Sequence, residues 1–229
     1  MKSAFRDLTK FELILWISSL VVVCFSFLFP EEKDYLTLIS SLIGVTALIF
    51  VAKGYVLGQV LCLIFAVFYG IISFYFRYYG EVIICLCMSA PLSLIAIISW
   101  LRHPYQDTKE VEVSKMTKKQ CVTMWILTFV VTIIFYFILK YFNTKNLIFS
   151  TISVATSFSA SYMTFMRSPY YGIGYSANDL VLITLWVLAS IVNPSYIPMI
   201  LCFVMFLAND LYGFYNWRRI KKRQEKDLA

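Results

Sequence analysis

Two dipeptides concentrate the ionisable chemistry of this 229-residue chain: Asn178-Asp179 and Asn209-Asp210. Both lie in long apolar runs, where an aspartate costs about 2.5 to 3.5 kcal/mol on insertion scales. A group held there at such a cost is expected to handle a substrate or an ion. Amide and aromatic side chains surround them. The run Asn209-Asp210-Leu211-Tyr212-Gly213-Phe214-Tyr215-Asn216-Trp217 mixes three polar with four aromatic side chains. On a helix, Asn209, Tyr212 and Asn216 share one face, and Asp210 and Trp217 the next. Upstream, Tyr175 shares a stripe with Asn178, and Asp179 one with Trp186. Gln59 and Tyr69 come from an earlier segment. Flat π faces, amides, hydroxyls and carboxylates suit an aromatic, possibly cationic ring carrying a polyhydroxyl part.

Each residue also has a plain packing explanation. Asn178 and Asn209 could bond across helices, an interaction averaging about 0.6 kcal/mol. Trp100 and Trp217 end two apolar runs, where an aromatic belt explains them as well as an inner gate formed with Tyr215 and Asn216. Apart from Lys140 near the end of one run, no lysine or arginine falls inside an apolar run. A phosphorylated ligand would want a fixed guanidinium, so a dephosphorylated nucleoside or vitamin is expected.

These residues must be positioned by membrane-spanning helices. The chain is 60% hydrophobic and 14% charged, whereas soluble domains carry about 25% charged residues. An all-α integral membrane protein is expected. Eight segments approach the roughly 20 apolar residues a span needs: Phe11–Phe29, Leu36–Ala52, Tyr55–Phe76, Gly80–Leu101, Cys121–Phe142, Leu147–Met166, Gly172–Val192 and Tyr196–Trp217. Arg102 to Gln120 forms the one long polar connector. Lys2, Arg6 and Lys10 before the first run imitate a signal peptide, but the run is too long and lacks a cleavage site, so a retained helix is expected. With both termini cytoplasmic, all but Lys33, Arg77, Lys140 and Lys145 of the 20 basic residues fall inside, a strong positive-inside signal. The +7 net charge is therefore read as topology, not as a nucleic-acid footprint. The six cysteines lie in apolar segments without a C-x-x-C pair, and His103 is the sole histidine. Neither a disulfide framework nor a metal site is expected, and no cofactor is implied.

A weak repeat organises the spans. Two triplets share an outline: each first helix ends in a basic residue (Lys53, Arg167), each last in tryptophan (Trp100, Trp217), and Tyr69 and Trp186 take matching places between. Parallel repeats about an axis along the membrane normal follow, as in SWEET-type carriers, with an extra N-terminal helix before a 3+1+3 plan. The expected divisions are an N-terminal helix in 1–35, a first repeat in 36–101, a connector and linker helix in 102–146, a second repeat in 147–217 and a basic tail in 218–229.

The C-terminal NDLYGFYNW run, the Ala177-Asn178-Asp179 triplet and Arg77-Tyr78-Tyr79-Gly80-Glu81-Val82 together resemble the PnuC-type transporters, the nicotinamide riboside carriers of bacteria. The resemblance spans the second to eighth helices. It implies facilitated diffusion through a homotrimer in the plasma membrane, with substrate trapped by a cytosolic kinase. Where many members carry an early tryptophan in each middle helix, this chain has Gly54-Tyr55 and Tyr170-Tyr171-Gly172. Thiamine, riboflavin and deoxynucleosides, carried by related branches, therefore stay open as substrates. An intramembrane aspartyl protease would require Y-D and G-x-G-D. Here Tyr175 follows Gly172-Ile173-Gly174, and Asp210 follows Asn209, so an enzyme is not expected.

Overall fold

The computed structural model describes residues 4–28, 35–75, 79–144, 146–192 and 194–227. Arg77 and Tyr78 of the second family-like motif lie outside them, as do Lys33 and Lys145. The described chain is helical, with only isolated β-bridges, one within the connector and one from the connector to Tyr55. Helices α1 (Lys10–Ser26), α2 (Tyr35–Ala52) and α3 (Val56–Tyr75) come first. A rod made of α4 (Tyr79–Ile83), a π turn (Ile84–Ser89) and α5 (Ala90–Arg102) follows. After the connector come α6 (Lys118–Tyr141), α7 (Leu147–Phe165), α8 (Tyr171–Val192) and α9 (Ile197–Asp227).

Among the described residues five helices are long and apolar enough to cross a membrane, in α2, the α5 rod, α6, α8 and α9, and α3 adds a shorter apolar stretch, Val56–Ile71. Helix α1 has only 17 residues, and α7 spends many positions on Ser and Thr. The chain is a multi-pass membrane protein.

Local chemistry explains most boundaries. Thr9 and Glu12 close a capping box at the start of α1, and Thr117 and Gln120 do the same for α6, each meeting otherwise orphaned backbone donors. The π turn precedes Pro91, and the Ala90 N–H reaches back to the Cys85 carbonyl. Proline lacks an N–H and crowds the carbonyl four residues before it, so one wider turn accommodates it. The basic tail is not a separate segment. Helix α9 runs through Trp217 to Asp227, because residues 218–227 contain no Gly or Pro and are mostly good helix formers.

Packing shows a two-fold pattern. Helix α2 packs on α3 and on α9; α7 packs on α8 and on α5. Helix α3 also meets α5 as α8 meets α9. Hydrogen bonds repeat in the same register. Trp217 Nε1 donates to the Val51 carbonyl (2.8 Å) and Asn216 to Ala52 (2.9 Å). Their counterparts are Trp100 Nε1 to Thr164 (2.9 Å) and Ser99 to Phe165 (2.7 Å). Both first helices end in a left-handed residue, Gly54 (φ 70°) and Arg167 (φ 57°). Each carbonyl there accepts a connector N–H, from Val111 and Ser114 respectively.

This register corrects the expected repeat in detail. Arg167 corresponds to Gly54 and not to Lys53. The Gly58 and Tyr171 amides start the middle helices alike, which sets Trp186 one helical turn further along than Tyr69.

Candidate functional site

Helices α8 and α9 run side by side and bring Asp179 and Asp210 together. Each is 3% exposed, and the two carboxyl groups lie close enough to act on each other electrostatically. Two glycines make the approach possible. A Cβ on Gly172 would lie 2.5 Å from the Asp210 carbonyl and 2.7 Å from the Phe214 nitrogen. Gly213 receives the Tyr171 hydroxyl, which a Cβ there would strike. Small residues let helix backbones close up where no hydrophobic force drives them together.

The polar neighbours divide into two kinds. Some are tied to other helices. Asn178 accepts from Thr156 on α7 (2.9 Å). Asn209 donates to Ser19 on α1 (3.0 Å) and to the Met205 carbonyl (2.7 Å). Tyr212 donates to Glu12 on α1 (2.8 Å). Others stay close to the acid pair. Tyr175 shares a 2.8 Å hydroxyl bond with Ser161 and lies within electrostatic range of Asp210, as do Cys62 and Tyr171. Gln59 is buried on the first turn of α3. Tyr69 stacks on Phe65 (5.6 Å between centroids), and Trp186 packs on Tyr196 (5.5 Å) towards the far ends of their helices.

Beneath this layer lies an aromatic plug. Trp100 and Trp217 are both fully buried, with ring centroids 5.3 Å apart. Tyr171 meets Trp217 edge-on at 4.8 Å. Val111 of the connector and Ile220 of α9 complete the cluster. An aromatic belt faces lipid and headgroups; these indoles face neither. Tyr215 differs, being 60% exposed with Arg219 over its ring.

The connector closes the plug from outside. Gln224 of α9 clamps it, accepting from the Val113 amide (2.8 Å) and donating to the Val111 carbonyl (3.1 Å). Arg223 pairs with Glu110, and Tyr105 donates to Asp227 (2.8 Å). Lys109 holds Asp7 at 2.6 Å, and this hydrogen bond keeps the Asp7 carboxyl below its ordinary value of 3.8.

A family model described as nicotinamide mononucleotide transporter matches residues 34–219. The chain belongs to that transporter family. The chain is similar to the nicotinamide riboside transporter PnuC of Neisseria mucosa, 24% identical over 227 residues, 97% of this chain and 86% of the relative. The PnuC of Haemophilus influenzae is 22% identical over 213 residues, 92% of this chain and 91% of that one. The crystal structure of the vitamin B3 transporter PnuC shares the fold, with a TM-score of 0.80 at 24% identity, covering 95% of this chain and 94% of the other. The chain is thus a family transporter and not an enzyme, and the acid pair is to be understood in that setting.

Two parts of the site escaped sequence reading. One is Tyr171, fully buried with its hydroxyl lacking a partner; its place in a Tyr171–Tyr175–Asn178 stripe was the available signal. The other is the Glu12–Lys53 ion pair (3.1 Å), with side chains 2% and 11% exposed. A glutamate one residue into an apolar run reads as a helix start, and capping is half of what Glu12 does.

Proposed function

We propose that the chain carries a dephosphorylated vitamin precursor with a cationic ring, nicotinamide riboside or a close analogue, by facilitated diffusion. The observation that carries this reading is the Asp179–Asp210 pair, buried beside aromatic hydroxyls and directly above the paired indoles. A cationic ring gains from carboxylates and π faces alike. The names of the curated relatives support a riboside. Asp179, Asp210, Tyr175 and Gln59 contact the substrate, joined by Tyr171. Asn178, Asn209 and Tyr212 set the helices around it, and Tyr69 and Trp186 line the outer approach. Trp100 and Trp217, held by the Thr164 and Val51 carbonyls, act with Asn216 as the inner gate.

The same reading puts eight spans in the bacterial plasma membrane, one N-terminal helix followed by a 3+1+3 plan. The repeated hydrogen bonds of Trp100 and Trp217 support that plan. Both termini face the cytoplasm, where the basic residues collect. A homotrimer is the assembly, and a cytosolic kinase traps the cargo. The test is counterflow in proteoliposomes containing the full chain, with labelled nicotinamide riboside, thiamine and riboflavin and no imposed gradient. Nicotinamide riboside is expected to exchange. Exchange of thiamine or riboflavin in its place reassigns the cargo, and exchange of none sinks the reading.

A further inference from the structure

On the transport reading above, we infer that Gln224 is the latch of the basic end. It holds α9, and with it Trp217, against a strap of the connector, and its release opens this end. The strap is Val111 to Ser114. Its four consecutive amides reach four different helix ends. Val111 donates to the Gly54 carbonyl after α2 (2.9 Å), and Glu112 to the His103 carbonyl after α5 (2.9 Å). Val113 donates to the Gln224 side chain of α9 (2.8 Å), and Ser114 to the Arg167 carbonyl after α7 (2.9 Å). Both halves of the two-fold pattern thus meet on one short segment.

The tether is tight. The Val111 and Ser114 nitrogens are three residues apart, which is at most about 11 Å even in a fully extended chain. While both bonds hold, the ends of α2 and α7 cannot part beyond that reach. The strap holds α2, α5 and α7 through main-chain carbonyls. It holds α9 through a side chain. Gln224, 3% exposed, is a two-point clip: its oxygen accepts from Val113, and its nitrogen donates to the Val111 carbonyl (3.1 Å). One change of rotamer undoes both bonds, whereas freeing the other three helices means pulling main chain from main chain.

The clip matters because of what α9 carries. Trp217, Ile220 and Gln224 follow i, i+3, i+7 on one face, and are 0%, 5% and 3% exposed. Helix α9 is unbroken from Ile197 to Asp227, so its end moves as one piece. When Gln224 lets go, that end swings out and draws Trp217 from Trp100. The bonds of Asn216 and Trp217 to α2 lie further in and part in the same swing. The other ties of the tip, Arg223 to Glu110 and Tyr105 to Asp227, involve exposed Arg223 and Asp227, and pairs at such a rim hold weakly.

The test uses full-length protein freed of its native cysteines. Val113→Cys with Gln224→Cys, joined by a short reducible bifunctional thiol reagent, replaces the clip with a covalent one. Counterflow of nicotinamide riboside is expected to fall at least tenfold on bridging and to return with reductant. The same reagent across Lys221→Cys and Glu225→Cys, one turn apart within α9, should leave counterflow unchanged. Undiminished exchange by the bridged Val113–Gln224 pair overturns the latch. A second measurement needs no cargo. Ile220→Cys, as the sole cysteine, is labelled in detergent by an impermeant thiol reagent. Labelling should be at least about fivefold faster with Gln224→Leu, which fills the space but loses both bonds. Equal rates overturn the latch. Absence of counterflow from every unbridged protein counts against the cargo, and the labelling then decides the latch.

Discussion

Asp210 and Gly213, three residues apart on α9, do different work. Asp210 supplies charge. Asp210→Asn is expected to lower uptake of a cationic substrate far more than uptake of a neutral analogue of the same shape, measured as the ratio of initial rates in proteoliposomes. Equal losses would reduce Asp210 to a structural role. Gly213 supplies space, since the Tyr171 hydroxyl fills the volume of a Cβ. Gly213→Ala should therefore destabilise by about 1–3 kcal/mol, the usual cost of overpacking. Removing the hydroxyl relieves the clash, so Tyr171→Phe in the Gly213→Ala background should recover part of the lost melting temperature in detergent.

The proposed gate belongs to the scale of elements. The Trp217 N–H binds a carbonyl at the end of α2 and the Trp100 N–H one at the end of α7, so the plug opens only if α9 and α5 move relative to those turns. Trp217→Phe keeps an aromatic ring and loses the bond to Val51, a change worth about 0.5–1.5 kcal/mol for a typical hydrogen bond. The expected readout is faster labelling of Cys62, kept as the single cysteine, by an impermeant thiol reagent applied from the basic end. Unchanged labelling would mean that the bond is not what closes this end. Helix α1 is joined to the same machinery through Glu12, Lys53, Tyr212 and Ser19. Glu12→Gln strands Lys53 as a buried, unpaired charge, with an expected cost of about 3–5 kcal/mol. Adding Lys53→Met should restore much of it, as read from denaturation midpoints of the single and double variants.

At the scale of the whole molecule, the connector binds both halves and both ends of the chain. Its Lys109–Asp7 pair has a defined pH window. The folded Asp7 carboxyl titrates below its ordinary 3.8, so its contribution is present above that value and lost as pH falls through the lower folded one. Tryptic cleavage of the connector should therefore be flat from pH 8 to about 5, because this partly exposed pair titrates below that range and contributes nothing to pH sensitivity near neutrality. A rise in cleavage between pH 8 and 6 would count against it. Most helix positions and the gathering of basic residues were legible in the sequence, because hydrophobic run length and charge asymmetry are one-dimensional signals. Direction of approach was not legible. Whether Asn209 turns towards a substrate or towards Ser19, whether Trp217 faces lipid or Trp100, and whether Lys53 meets water or Glu12 depend on helix rotation and on partners up to 200 positions away. Close packing of helices, permitted at Gly172 and Gly213, settles those choices, and no local pattern of residues encodes them.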